Sequence, residues 1–161
     1  MLAIAERIKP ADVCLVPEKR EELTTEGGLD IIANREAVSD AVRRLHAAGI
    51  RSSLFIDPER DQLDASKQCA AFAVELHTGT YADATDDDQR EAELERVRDA
   101  VQYGLQIGLQ MNAGHGLHYD NVQAIVAIPG LTELNIGHAI VSRAVFTGLF
   151  AAVAEMKQLM A

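Results

Sequence analysis

The sequence predicts a parallel α/β protein. Three observations carry that prediction: five short apolar runs along the chain, an amphipathic helical stretch after each, and a loop holding Gly, His, Thr or Asp between the two. The 161 residues are 48% hydrophobic and 25% charged, a globular composition that excludes disordered, collagen-like and coiled-coil classes and fits one domain over residues 1–161.

Leu2 to Ile8 reads as a helix tail stopped at Pro10, and Val13 to Val16 as a β-rich run ended by Pro17. A polar loop follows, from Glu18 to about Asp30. Asn34 begins an amphipathic helix with Ala37, Val38, Val42 and Leu45 on one stripe, and Gly49 sits at its C-terminal stop. Ser52 to Ile56 is the next strand. Asp57 then reads as an N-cap, with Pro58 at the first helical position, of a helix running towards Cys69. Phe72 to His77 is strand again, and Thr78 to Asp86 a loop rich in Asp and Thr. Leu94, Val97, Val101 and Leu105 recur at helical spacing until Gly108. Leu109 to Asn112 is the fourth strand, and Tyr119 to Ile128 a short helix closed by Pro129 and Gly130. Leu134 to Ile136 is the fifth strand, and Ile140 to Met160 carries helical spacing to the last residues.

Five such units fit either an open doubly wound sheet or most of a (β/α)8 barrel, and the strand faces separate the two. Side chains alternate faces along a strand, so Phe72, Val74 and Leu76 oppose Ala73, Glu75 and His77, while Leu54 and Ile56 oppose Ser53, Phe55 and Asp57. Leu109 and Met111 likewise oppose Gln110 and Asn112, and Leu134 and Ile136 oppose Glu133 and Asn135. Strands covered by helices on both faces are nearly all apolar. A polar second face repeated on four strands therefore points to a lumen, and to a (β/α)8 TIM barrel. Such a barrel takes about 200 residues or more, which leaves about three strand units outside this chain.

Fifteen Lys and Arg against 25 Asp and Glu give a formal charge of −10, which argues against nucleic acid as a partner. No apolar run reaches the roughly 18 residues of a membrane span, and MLAIAERIKP lacks the basic flank and long apolar stretch of a signal peptide, so the expected location is the cytoplasm. Cys14 and Cys69 are single and far apart within apolar stretches. They have neither zinc-ligand nor disulfide spacing and read as buried thiols; no metal or cofactor is expected.

Candidate chemistry gathers at the carboxyl ends of the strands, where parallel barrels build their active sites. His77 in ELHTG, His115 in NAGHG and His138 in NIGH all fall there, each beside glycine, whereas His46 and His118 read as solvent-facing. Gly114, Gly116 and Gly137 let backbone N–H groups approach an anion with no Cβ in the way, which suits a phosphorylated small molecule. Glycine there is also an ordinary turn residue. Glu75 lies mid-strand on the polar face, where a carboxylate has either a perturbed pKa suited to proton transfer or a structural ion-pair partner. Thr24, Thr25, Glu26, Gly27 and Gly28 make either a mobile cover over the site or a plain polar loop.

The segments CLVPEKREELTTEGGLD, SLFIDP, ELHTGTYADA, NAGHGL and ELNIGHAIVSRAVFTGL resemble pyridoxine 5'-phosphate synthase from one end of the chain to the other. The resemblance implies a (β/α)8 barrel that condenses 1-deoxy-D-xylulose 5-phosphate with 3-amino-2-oxopropyl phosphate, and a homo-oligomer, an octamer in that family. Carried over by motif, Thr24 contacts the deoxyxylulose phosphate, Glu75 stabilises the transition state and His115 is the proton donor. Gly116, Gly137 and His138 match the aminoketone phosphate site. The chain departs from the family at its start, which matches the third helix, so its strands correspond to strands four to eight. The family's Asn, Asp-His pair, His and Arg residues and Glu base on the first three strands have no counterpart here.

Three readings follow: a pyridoxine 5'-phosphate synthase chain that is inactive alone, a non-catalytic partial barrel that at most binds phosphorylated molecules, and an unrelated phosphosugar isomerase or aldolase. The last lacks a strand-end Lys to act as a Schiff-base nucleophile.

Overall fold

A computed structural model describes residues 1–17 and 27–161. Helix α1 (Leu2–Ile8) precedes β1 (Asp12–Leu15), α2 (Arg35–Ala47), β2 (Arg51–Ile56), α3 (Arg60–Gln68) and β3 (Ala73–His77). A single turn, α4 (Gly79–Ala82), and the long α5 (Asp87–Gln106) lead to β4 (Gln110–Gly114) and α6 (Val122–Val126). Strand β5 (Leu131–Asn135), α7 (His138–Thr147) and α8 (Leu149–Leu159) complete the order. The five strands pair in parallel in chain order, β1-β2-β3-β4-β5, which is the α/β architecture the alternation predicts.

Alternation along each strand separates two faces. On the helix-covered face Leu54, Ile56, Val74, Leu76 and Met111 are fully buried, and Leu134 and Ile136 pack against them. Burying each of these side chains contributes roughly 1.5–3 kcal/mol, and a one-residue slip would carry the whole set to the other face. The opposite face carries Ser53, Glu75, Asn112 and Asn135. It is concave, because Cys14 of β1 and Asn135 of β5, on the two edge strands, both reach the Glu75 carboxylate of the central β3. The sheet thus curls as a barrel wall does, and it is open between β1 and β5 among the described residues.

Local chemistry fixes the start of the longest helix. Asp86 caps α5 by accepting from the Gln89 N–H at 2.8 Å, while the Gln89 side chain accepts from the Thr85 N–H at 3.1 Å. This reciprocal pair, with Asp87 and Asp88 in the first positive turn, fixes where the helix starts.

Several expectations are corrected. Asp57 does not cap a helix: α3 starts two residues later behind Glu59, because the Asp57 carboxylate is engaged in tertiary bonds. The predicted loop after β3 contains the turn α4. The helix expected from Tyr119 shortens to Val122–Val126, since residues 119–121 form a turn held by the Asn121 side chain accepting from the His118 N–H. Strand β5 begins three residues earlier than the apolar pattern suggests. The final helix is two, because Gly148 at φ 81° breaks the run. Cys69 is buried as expected, but Cys14 is exposed, because β1 is an edge strand.

Candidate active site at the strand carboxyl ends

Glu75 occupies the middle of β3 and is only 8% exposed. Its carboxylate accepts from the Asn135 amide at 2.8 Å and from the Cys14 thiol at 3.5 Å. Gly114 on the neighbouring strand makes the room, because a Cβ there would stand 2.3 Å from Glu75 Oε1. Burial pushes the Glu75 carboxyl above its ordinary value, opposed by the two donors. The Cys14 residue is exposed, but its thiol turns into the concave face, where burial and then the Glu75 charge push it up to about 12. Cys14 is therefore a neutral hydrogen-bond donor here and not a nucleophile.

One residue beyond each of β2 and β4 lies the second half of the constellation. The Asp57 carboxylate accepts from the Gly28 N–H at 3.1 Å and pairs with His77 Nδ1 at 3.1 Å. The His77 bond, then that of Gly28, holds the Asp57 carboxyl below the usual range against partial burial. His77, 3% exposed, packs edge-on to Phe55 with ring centroids 5.2 Å apart and lies 5.0 Å from the His115 ring. Its Nε2 has no hydrogen-bond partner among the described residues. A carboxylate on Nδ1 favours a proton on that nitrogen.

His115 itself is exposed and adopts φ 79°, with Gly116 at φ 74° beside it. A non-glycine residue there costs of order 1–3 kcal/mol and persists where its surroundings enforce it. The enforcing group is Thr78, whose hydroxyl lies 2.8 Å from the Gly114 carbonyl and 2.6 Å from the His115 carbonyl, and whose N–H donates to the Gly114 carbonyl at 2.9 Å. Gly137 caps α7, and it and His138 are exposed at the end of β5.

The structure thus gathers Glu75, His77, His115 and Gly116 on adjacent strand ends, with Gly137 and His138 one strand further on. Thr24 lies outside the described residues. Asp57 belongs to the site and not to a helix cap, and Cys14 and Asn135 are the partners of Glu75, which alternation along one strand does not identify. The signal for Asp57 was present, an acidic residue directly after an apolar strand, but it is equally that of a helix cap. Among the described residues no three His, Cys, Asp or Glu side chains gather as metal ligands, and no helix is long and apolar enough to cross a membrane.

A curled parallel sheet with its polar groups at the strand carboxyl ends defines a barrel-type α/β protein. Solved structures share this fold at low identity. A chain of the Amycolatopsis orientalis BexX/CysO complex aligns with a TM-score of 0.64 and 17% identity, covering 98% of this chain and 57% of that one. A xylose isomerase domain protein from Planctomyces limnophilus gives 0.58 and 15%, covering 100% and 66%. The YdjI aldolase from Escherichia coli K12 gives 0.51 and 16%, covering 82% and 55%. The chain therefore spans a little over half to two thirds of the chains it matches. Its family is that of the pyridoxal phosphate biosynthesis protein PdxJ, whose model matches residues 1–161, and the chain belongs to it.

Proposed function

We propose that this chain carries the carboxyl-terminal strand ends of a pyridoxine 5'-phosphate synthase, which condenses 1-deoxy-D-xylulose 5-phosphate with 3-amino-2-oxopropyl phosphate. The observation that carries the reading is the cradle of Glu75, a buried carboxylate with raised pKa on the concave face of a sheet whose next strand end holds His115. Ring closure through carbonyl condensation needs protons delivered to departing oxygens and positive charge stabilised nearby. An exposed imidazole beside a buried carboxylate serves both needs, with His115 as proton donor and Glu75 opposite the developing charge.

The phosphates fall to backbone N–H groups around Gly116, Gly137 and His138, with Thr24 on the deoxyxylulose phosphate. Support comes from Gly137: a Cβ there meets nothing within 4 Å and its φ is −109°, so no contact in the described chain calls for glycine, whereas an anion at the start of α7 does. Residues 1–161 act as one unit of a cytoplasmic homo-oligomer in this reading. The five strands alone leave the concave face uncovered between β1 and β5, so the isolated chain has little or no turnover, since loss of positioned acid–base groups costs about 10² to 10⁴ each.

The test assays the purified chain with both substrates beside a version completed by the family's first three strand units. Turnover in the completed protein alone, abolished by His115→Ala, supports the reading. Ligand binding without turnover in the completed protein would leave a non-catalytic phosphate-binding barrel instead. Phosphate-ester affinity unchanged in Gly137→Val removes the proposed anion contact.

A further inference from the structure

We infer that Asp57 and His77 form a positioning pair that orients the His115 imidazole, an inference that rests on the role proposed for His115. The His77 ring is buried away from any substrate, while Asp57 is partly exposed at 41% and acts on His115 through it. His77 is 3% exposed, and its Nδ1 is bonded to Asp57. Three features make the pair an orienting device. The Asp57 Oδ1 that meets His77 also accepts from the Gly28 N–H, which gives that oxygen a second anchor. The His77 ring, held at Nδ1, is gripped by Phe55 edge-on and presents its other side to His115, with ring planes 50° apart.

The third feature is Gly79. A Cβ at this position would stand 2.5 Å from His77 Nε2 and 3.2 Å from His115 Cδ2. The missing methyl is therefore what lets the two rings approach to 5.0 Å. Thr78, between His77 and Gly79, holds the His115 backbone at its positive φ. One short stretch, residues 77–79, thus touches both ring and backbone of His115, and the Asp57 bond anchors that stretch to β2.

The test reads histidine side chains by long-range ¹H–¹⁵N correlation NMR on the 161-residue chain. The unmodified protein should show His77 as the Nδ1-protonated tautomer. Asp57→Ala should remove that preference and shift both His115 ring nitrogens, while backbone amides away from residues 77–79 and 115 stay in place. Asp57→Asn keeps a carbonyl acceptor and should restore both signals. Gly79→Ala leaves Asp57 intact, displaces the His77 ring and should also move His115, which decides the matter if Asp57→Ala fails to fold. A His115 signal unmoved in Asp57→Ala or in Gly79→Ala overturns the inference. Addition of 1-deoxy-D-xylulose 5-phosphate and of inorganic phosphate to the unmodified chain tests the functional reading separately: a His115 ring indifferent to both counts against its place in the ligand site, while the response to Asp57→Ala still judges the pair.

Discussion

Glu75 on β3 and Asp57 just beyond the neighbouring β2 respond to acid in opposite senses. The buried Glu75 carboxyl is raised, so its ionisation opposes folding: its contribution is fully present below the ordinary carboxyl pKa of about 4.3 and is lost as pH rises through the folded value. Glu75→Gln is therefore expected to raise the melting temperature at pH 7, with the gain vanishing towards pH 4, as thermal scans across that range would show. Asp57 is lowered, so its contribution is present above about pH 3.9 and is lost on acidification. His115 is a conformational strain site at φ 79°. His115→Gly should gain about 1 kcal/mol, or roughly 2–4 °C in melting temperature for a protein of this size, while removing the proposed proton donor. At this scale the sequence was informative about residue type and poor about partners. Glu75, His77 and His115 were identifiable from alternation and strand ends, whereas Asp57 before Pro58 has the same local signature as a helix cap and only a tertiary acceptor distinguishes the two.

Among the elements, β4 meets β3 across Gly114, and the fit is tight. Gly114→Ala would drive a methyl to 2.3 Å from Glu75 Oε1 and 3.0 Å from the Asn135 carbonyl, so either the carboxylate leaves its cradle or β5 separates. Overpacking of this kind typically costs about 1–3 kcal/mol, which a urea midpoint would report, and the Asn135 bond to Glu75 should be lost with it. The strands and long helices were legible because periodicities of 2 and 3.6 are imposed by burial on one face. Where burial is weak, the pattern misleads. The edge strand β5 is mostly exposed and starts before its apolar pattern does, Cys14 has apolar sequence neighbours yet is exposed, and the helical spacing after Ile140 continues through Gly148 although the backbone turns there. The four residues of α4 are too few for any period to register.

Over the whole molecule, a formal charge of −10 keeps copies apart, yet α7 and α8 expose Val145, Phe146, Leu149 and Phe150 at 77, 88, 62 and 90%. A contiguous apolar patch of this kind marks an association surface or a liability to aggregate. Replacing Phe146 and Phe150 together by Ser should change stability by no more than about 0.5 kcal/mol, because neither side chain is buried, and should reduce light scattering and apparent mass. Unchanged association in that variant would transfer the tendency to the outer edges of β1 and β5, which pair with no further strand among the described residues. The identity of strand order with chain order has a further consequence. No strand is inserted between two that are already paired, so the sheet can be assembled outward like bricks in a course, each unit docking on the last. A β/α unit added beyond either edge would need no existing pairing to be broken and no loop to be threaded. The architecture is extensible at both ends, and duplication or fusion of units can lengthen it without disturbing the Glu75 cradle at its centre.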